Sequence, residues 1–101
     1  MEYCQLAEVH GETMDDHRAF LGVLGVEDEP PEGLLGRAVG PTAGGVRIVT
    51  LWKSKAAHDR FIAERLGPAL VKAGRAGVQA EVIADFQVEE LYRAGVPAPT
   101  A

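Results

Sequence analysis

The sequence predicts an α+β domain of the ferredoxin-like type, ordered β-α-β-β-α-β, with a four-stranded antiparallel sheet and two helices on one face. Three observations carry this. Four runs, at 3–10, 34–40, 45–52 and 79–88, alternate in polarity or are rich in β-branched residues. Two segments with helical spacing of apolar residues separate the first run from the second and the third from the fourth. The second and third runs are joined only by PTAGG, 41–45, a glycine-bearing hairpin turn.

Each element has its own signal. YCQLAEVH alternates, and Gly11 breaks it. Thr13 is a good helix N-cap, with Asp16 three residues later where a capping-box acid belongs. His17, Phe20, Leu21 and Leu24 then follow the i, i+3, i+4, i+7 spacing of one helix face, and Gly25 is placed to stop the helix. VEDEPPEG, 26–33, is acidic and carries two prolines, as an exposed loop does. GVRIVTLW is the strongest strand. Ser54 caps a helix predicted to reach about Ala73, with Phe61, Ile62, Leu66 and Leu70 on its apolar side. Pro68 lies inside it, which predicts a kink or restart near Gly67.

At 101 residues and 47% hydrophobic, the chain makes one globular domain, expected over 1–92, with VPAPTA closing a loose tail over 93–101. The net charge is −5 and the ten basic residues are scattered, which argues against a nucleic-acid partner. The apolar runs are too short to span a bilayer, and MEYCQLAEVH lacks the basic start and apolar core of a signal peptide. The single cysteine, Cys4, cannot form an internal disulfide and reads as a small packing residue. A cytoplasmic location is the expectation.

The predicted topology places the first and third strands side by side and, as right-handed crossovers are read here, parallel. Both helices then cover one sheet face and leave the other bare. In the third strand Val46, Ile48, Thr50 and Trp52 share one face, and Arg47, Val49 and Leu51 the other. Both sets are mostly apolar, so a second copy packed sheet to sheet is expected, as a homodimer. Arg47 is expected to pair with Asp85 or Glu81 of the fourth strand.

With parallel central strands, His10, His17, Trp52 and His58 would share one rim with two helix N-termini. His58 and His17 are the candidate catalytic residues, since a helix N-terminus favours the neutral imidazole that serves as a base. The bland alternative is, for His58, a half-buried ring satisfied by a backbone carbonyl or water and, for His17, an aromatic substitute at the edge of the core. Trp52, His10, Phe61, Phe86 and Lys55 are the candidate ligand-binding residues. The flat indole suits an aromatic ligand. Lys53 and Lys55 beside the second helix's N-cap suggest a carboxylate, enolate or phenolate on that ligand. The same aromatic residues could instead fill the space and leave a structural protein. Three histidines raise a metal site, but His10-x6-His17 with a distant His58 matches no ligand motif, and neither metal nor cofactor is expected.

The pattern PPEGLL, then GPTAGGVRIVTLW, then a helix with DRF and ERLGPAL resembles small bacterial proteins of the antibiotic-biosynthesis-monooxygenase-like group, which are dimeric α/β barrels. The resemblance runs from the first strand to the fourth. It implies a ligand site between sheet and helices in each subunit. It also implies a cofactor-independent oxidation of an aromatic or quinone-like small molecule, or a non-catalytic dimer that binds one. In members that oxidise aromatic polyketides or open haem, a tryptophan at the position of Trp52 works with an asparagine on the first strand. This chain has no asparagine, and its first-strand candidates, Ala7 and Glu8, are not neutral amides.

Overall fold

A computed structural model describes residues 1–94, so all but the first two residues of the expected tail lie outside the described residues. The strands are β1 (Tyr3–His10), β2 (Leu34–Thr42), β3 (Gly45–Trp52) and β4 (Glu81–Gln87). The helices are α1 (Met14–Leu24), α2 (Lys55–Phe61) and α3 (Gly67–Lys72). The strands form one antiparallel sheet in the order β2-β3-β1-β4, and the fold is the ferredoxin-like α+β arrangement.

The central pair departs from the expectation. β1 and β3 are neighbours, but antiparallel, with Tyr3 opposite Trp52 and His10 opposite Gly45. The reason is topological. The crossover through α1 makes β2 parallel to β1 and leaves a gap between them. β3 enters that gap from a hairpin with β2, so it opposes both neighbours. The C-terminal ends of β1 and β3 therefore lie at opposite ends of the sheet.

Local signals hold at the helix ends. The Thr13 hydroxyl accepts from the Asp16 amide at 3.0 Å, and the Asp16 carboxylate accepts from the Thr13 amide at 3.1 Å, completing the capping box. Gly25 closes α1 at φ 71°, a left-handed conformation, and its N–H donates to the Leu21 carbonyl. The hairpin turn is tighter than PTAGG suggests, because β2 runs on through Pro41 and Thr42. Proline is tolerated there because β2 is an edge strand.

The second helical stretch changes winding between α2 and α3. Ile62–Leu66 forms a π turn, in which the Gly67 N–H donates to the Ile62 carbonyl five residues back. Pro68 has no N–H for the carbonyl of Glu64, and the wider turn absorbs that deficit without breaking the rod. The restart expected near Gly67 thus takes the form of a new α-helical segment beginning at Gly67. Arg65 in the π turn donates to the carbonyls of Glu29 at 2.6 Å and Leu24 at 3.2 Å, tying this rod to the end of α1.

The core is small. Tyr3, Trp52 and Ala57 form its buried cluster, with Leu34 and Phe61 packed against it. The sheet face turned away from the helices is open. Cys4 lies in register with Leu51 and Phe86, and Leu6 with Val49 and Ala84, so these six share that face. Phe86 is 57% exposed and Val49 38%.

Candidate functional site

Between the sheet and the helical layer lies a cavity of about 380 Å³. Its sheet wall is built from alternate residues of neighbouring strands. One cross-strand row gives it Leu34 and Trp52, and the next Arg37, Thr50 and Gln5; Tyr3 and Asp85 continue these rows outside the lining. The helical wall supplies Phe20 and His17 from α1 and His58 and Phe61 from α2. The lining is mainly apolar, with a few polar groups at fixed places, which is the usual character of a small-molecule site.

His58 sits over the Trp52 row. Its ring centroid is 5.6 Å from that of Trp52, nearly edge-on, and 5.2 Å from that of Tyr3. Phe61 lies tilted against the indole, with ring centroids 5.4 Å apart. The Nδ1 of His58 is 3.0 Å from the Asp59 carboxylate. With Nδ1–H donating there, Nε2 is left as an acceptor. Asp59 is held well ionised, below the ordinary carboxylate range, first by its hydrogen bond from Lys55 and then by that from His58. The indole Nε1–H of Trp52 is buried and has no acceptor among the described residues.

Towards the other end of the cavity His17 joins a charged chain. Its Nδ1 is 3.5 Å from the buried carboxylate of Glu12, and Glu12 accepts from Arg75 at 2.6 Å. Its Nε2 accepts from the Arg37 guanidinium. Desolvation, and then the positive charge of Arg37, push the His17 imidazole below its ordinary pKa. Arg75 also lies 5.1 Å over the Phe20 ring, which fixes it against α1.

Beside the cavity, at the start of β1, the buried Tyr3 hydroxyl donates to Asp85 at 2.7 Å and accepts from the Gln5 amide at 3.2 Å. Burial and that bond to Asp85 raise the phenol's pKa. Gln5 is thus a neutral amide on the first strand, facing the cavity.

The structure brings Trp52, His58, His17 and Phe61 to one cavity. Three other candidates fall elsewhere. His10 ends β1 at the far end from Trp52, exposed, with its ring 2.6 Å from Glu81 and 3.2 Å from Glu8. The antiparallel central pair puts it there, so the three histidines share no rim. Among the described residues no three histidine, cysteine or acidic side chains gather as metal ligands. Phe86 is in register with Cys4, on the open face of the sheet. Lys55 stays outside, bonded to Asp59 at 2.9 Å, and Lys53 is 3.8 Å from Glu32, so the expected positive spot is neutralised. Arg47 pairs with Glu8 at 3.1 Å and not with β4, because β1 lies between.

Sequence reasoning missed Gln5, Glu12, Arg37, Asp59 and Arg75. Strand alternation from Tyr3 reaches Gln5 and could have found it. Glu12 and Arg75 sit in loops, where no periodicity points inward.

The fold and the cavity define a ferredoxin-like α+β chain with a space between its layers. No protein-family model matches it, and no curated protein matches it at a significant level. Solved structures do, and the chain shares its fold with antibiotic-biosynthesis-monooxygenase-like proteins. One is a protein provisionally named an antibiotic biosynthesis monooxygenase, from Chloroflexus aurantiacus J-10-fl. It matches with a TM-score of 0.60 and 15% identity over 96% of this chain and 100% of that one. SnoaB, a cofactor-independent oxygenase from Streptomyces nogalater, matches at 0.56 and 13% over 89% and 93%. A dimeric ferredoxin-like protein of unknown function from Jannaschia sp. CCS1 matches at 0.60 and 20% over 87% and 100%. At these identities the likeness is one of fold.

Proposed function

We propose that this chain is a homodimeric, cofactor-independent monooxygenase-like enzyme acting on an aromatic or quinone-like small molecule held in the cavity. The observation that carries the reading is the aromatic wall of Trp52 and Phe61 meeting an imidazole whose Nε2 has no partner among the described residues. Asp59 orients that imidazole through Nδ1, which is how a histidine base is set up. His58 is the base and Trp52 the stacking surface. His17 is the second candidate base, but its Nε2 already accepts from Arg37. Gln5, on the cavity wall, supplies a hydrogen bond to a substrate oxygen.

A hydroxyanthrone suits such a site, because its conjugate base gives an electron to O2 directly. His58 removes one proton from the anthrone carbon. One-electron transfer to O2 and recombination form a carbon-bound peroxide, which loses water to leave the quinone. One oxygen atom enters the product, the other leaves as water, and the substrate's CH2 carbon supplies all four electrons as it becomes the carbonyl.

The open sheet face supports the dimer. Leu6, Val49, Leu51 and Phe86 form an apolar strip there, and an exposed strip of this kind marks an interface. The test is O2-dependent conversion of 1,8-dihydroxy-9-anthrone to the quinone. His58→Ala should abolish it while leaving the circular dichroism spectrum intact. Equal turnover in the variant refutes the assignment of the base. Saturable binding without turnover in the wild type favours a second reading, a non-catalytic binding dimer, which the preformed cavity equally supports.

A further inference from the structure

We infer that Arg37 and His17 form an anion-recognition group at the mouth of the cavity, and that the ligand carries an ionised oxygen, a carboxylate, enolate or phenolate, on its aromatic body. The inference rests on the cavity reading above and names the ligand's charge.

The charged groups at this end leave Arg37 unmatched. Glu12 is the carboxylate packed against the group, and it is taken by Arg75 at 2.6 Å and His17 at 3.5 Å. Arg37, from the edge strand β2, makes no ion pair among the described residues. Its recorded partner is the Nε2 of His17. To accept there, His17 keeps its proton on Nδ1 and is neutral. Arg75 has its carboxylates, Glu12 in contact and Asp16 nearby, while Arg37 faces only a neutral ring. Arg37 is exposed as a residue, yet partial burial of its guanidinium pushes the group below its ordinary pKa. A partly buried guanidinium paired only with a neutral ring retains donors for an incoming oxyanion.

Adjacent groups point the same way. Thr50 and Gln5 follow Arg37 along one row of the sheet wall. One row on, the Trp52 indole N–H is buried without an acceptor. A ligand with an ionised oxygen at Arg37 and a second acceptor near Trp52 would satisfy both and lay its ring against Phe61. The lysines first suspected of this role are already bonded to Asp59 and Glu32.

The test compares 2-naphthoate with 2-naphthamide, two probes of one shape that differ in charge, by quenching of Trp52 fluorescence at pH 7.5. The expected result is at least about ten-fold tighter binding of naphthoate, the scale of one charge-assisted hydrogen bond. In Arg37→Met the preference should fall to within about two-fold, as loss of that bond implies. The Arg37 Nε–H resonance of the wild type should move with naphthoate and not with naphthamide, a readout that does not depend on the variant folding. Equal binding of both probes, or a still Nε–H resonance under saturating naphthoate, overturns the anion assignment and leaves the cavity reading standing. Failure of both probes to bind overturns both.

Discussion

Replacing Glu12 with alanine is the sharpest perturbation of the structure. The carboxylate is buried, with its side chain 4% exposed, and holds Arg75 at 2.6 Å and His17 at 3.5 Å. Removing it leaves a guanidinium without its counterion and a buried imidazole N–H without its acceptor. Stripping one partner from a fully buried pair costs about 3–5 kcal/mol. The Arg75 side chain is 26% exposed, and water recovers part of that loss. A cost of about 2–3 kcal/mol follows, toward the upper end of a hydrogen bond to a charged group. For a chain this size that corresponds to a fall in Tm of about 8–24 °C. Urea unfolding followed by Trp52 fluorescence and far-ultraviolet circular dichroism measures it. Glu12→Gln keeps one acceptor and should lose less. In a double-mutant cycle Arg75→Met should recover more than about 1 kcal/mol of the Glu12→Ala cost, because a cycle isolates the pair. A cost below about 0.5 kcal/mol, the ordinary range for an unpaired surface site, would refute a buried Glu12–Arg75 pair.

Further outcomes follow from the same geometry. The His17 imidazole is depressed below 6.5 in the fold, so the unfolded chain binds its proton first as pH falls. Stability should therefore be fully present above about pH 6.5 and fall below it, by up to about 1.4 kcal/mol per pH unit, and His17→Gln should flatten that slope. Gly45→Ala should destabilise by more than about 2 kcal/mol in urea unfolding, since overpacking against backbone is costly. A Cβ there would lie 2.1 Å from the Val9 carbonyl oxygen, a rigid strand atom. Phe86→Glu should yield a folded monomer by light scattering and leave naphthoate binding unchanged, because Phe86 lies on the sheet face away from the cavity.

The elements of the fold were legible because short-range signals set them. Thr13 with Asp16, Ser54, Gly25 and the alternation of β3 each act within a few residues, and each reads directly from the chain. The site was only half legible. Trp52, His58 and Phe61 gather because a strand end and the next helix's first two turns are close whatever the topology. His10 was misplaced because its position depends on strand direction, and reading the central pair as parallel moved it across the molecule. Phe86 was misplaced by one step of alternation, since β4 carries a register shift opposite Leu6 and Ala7 that no local residue type announces. The Glu12–His17–Arg37 chain was invisible because it joins a loop, a helix and an edge strand that meet only in three dimensions.

The most direct measurement is a nitrogen-correlated NMR titration with 1,8-dihydroxy-9-anthrone under anaerobic conditions. Trp52 is the chain's only tryptophan, so its indole N–H gives one assignable signal. A ligand in the cavity moves that signal and the ring nitrogens of His58 and His17 together, saturably, and leaves His10 still. Shifts confined to His10, or none at any of the four, would contradict a ligand site between the sheet and the helices.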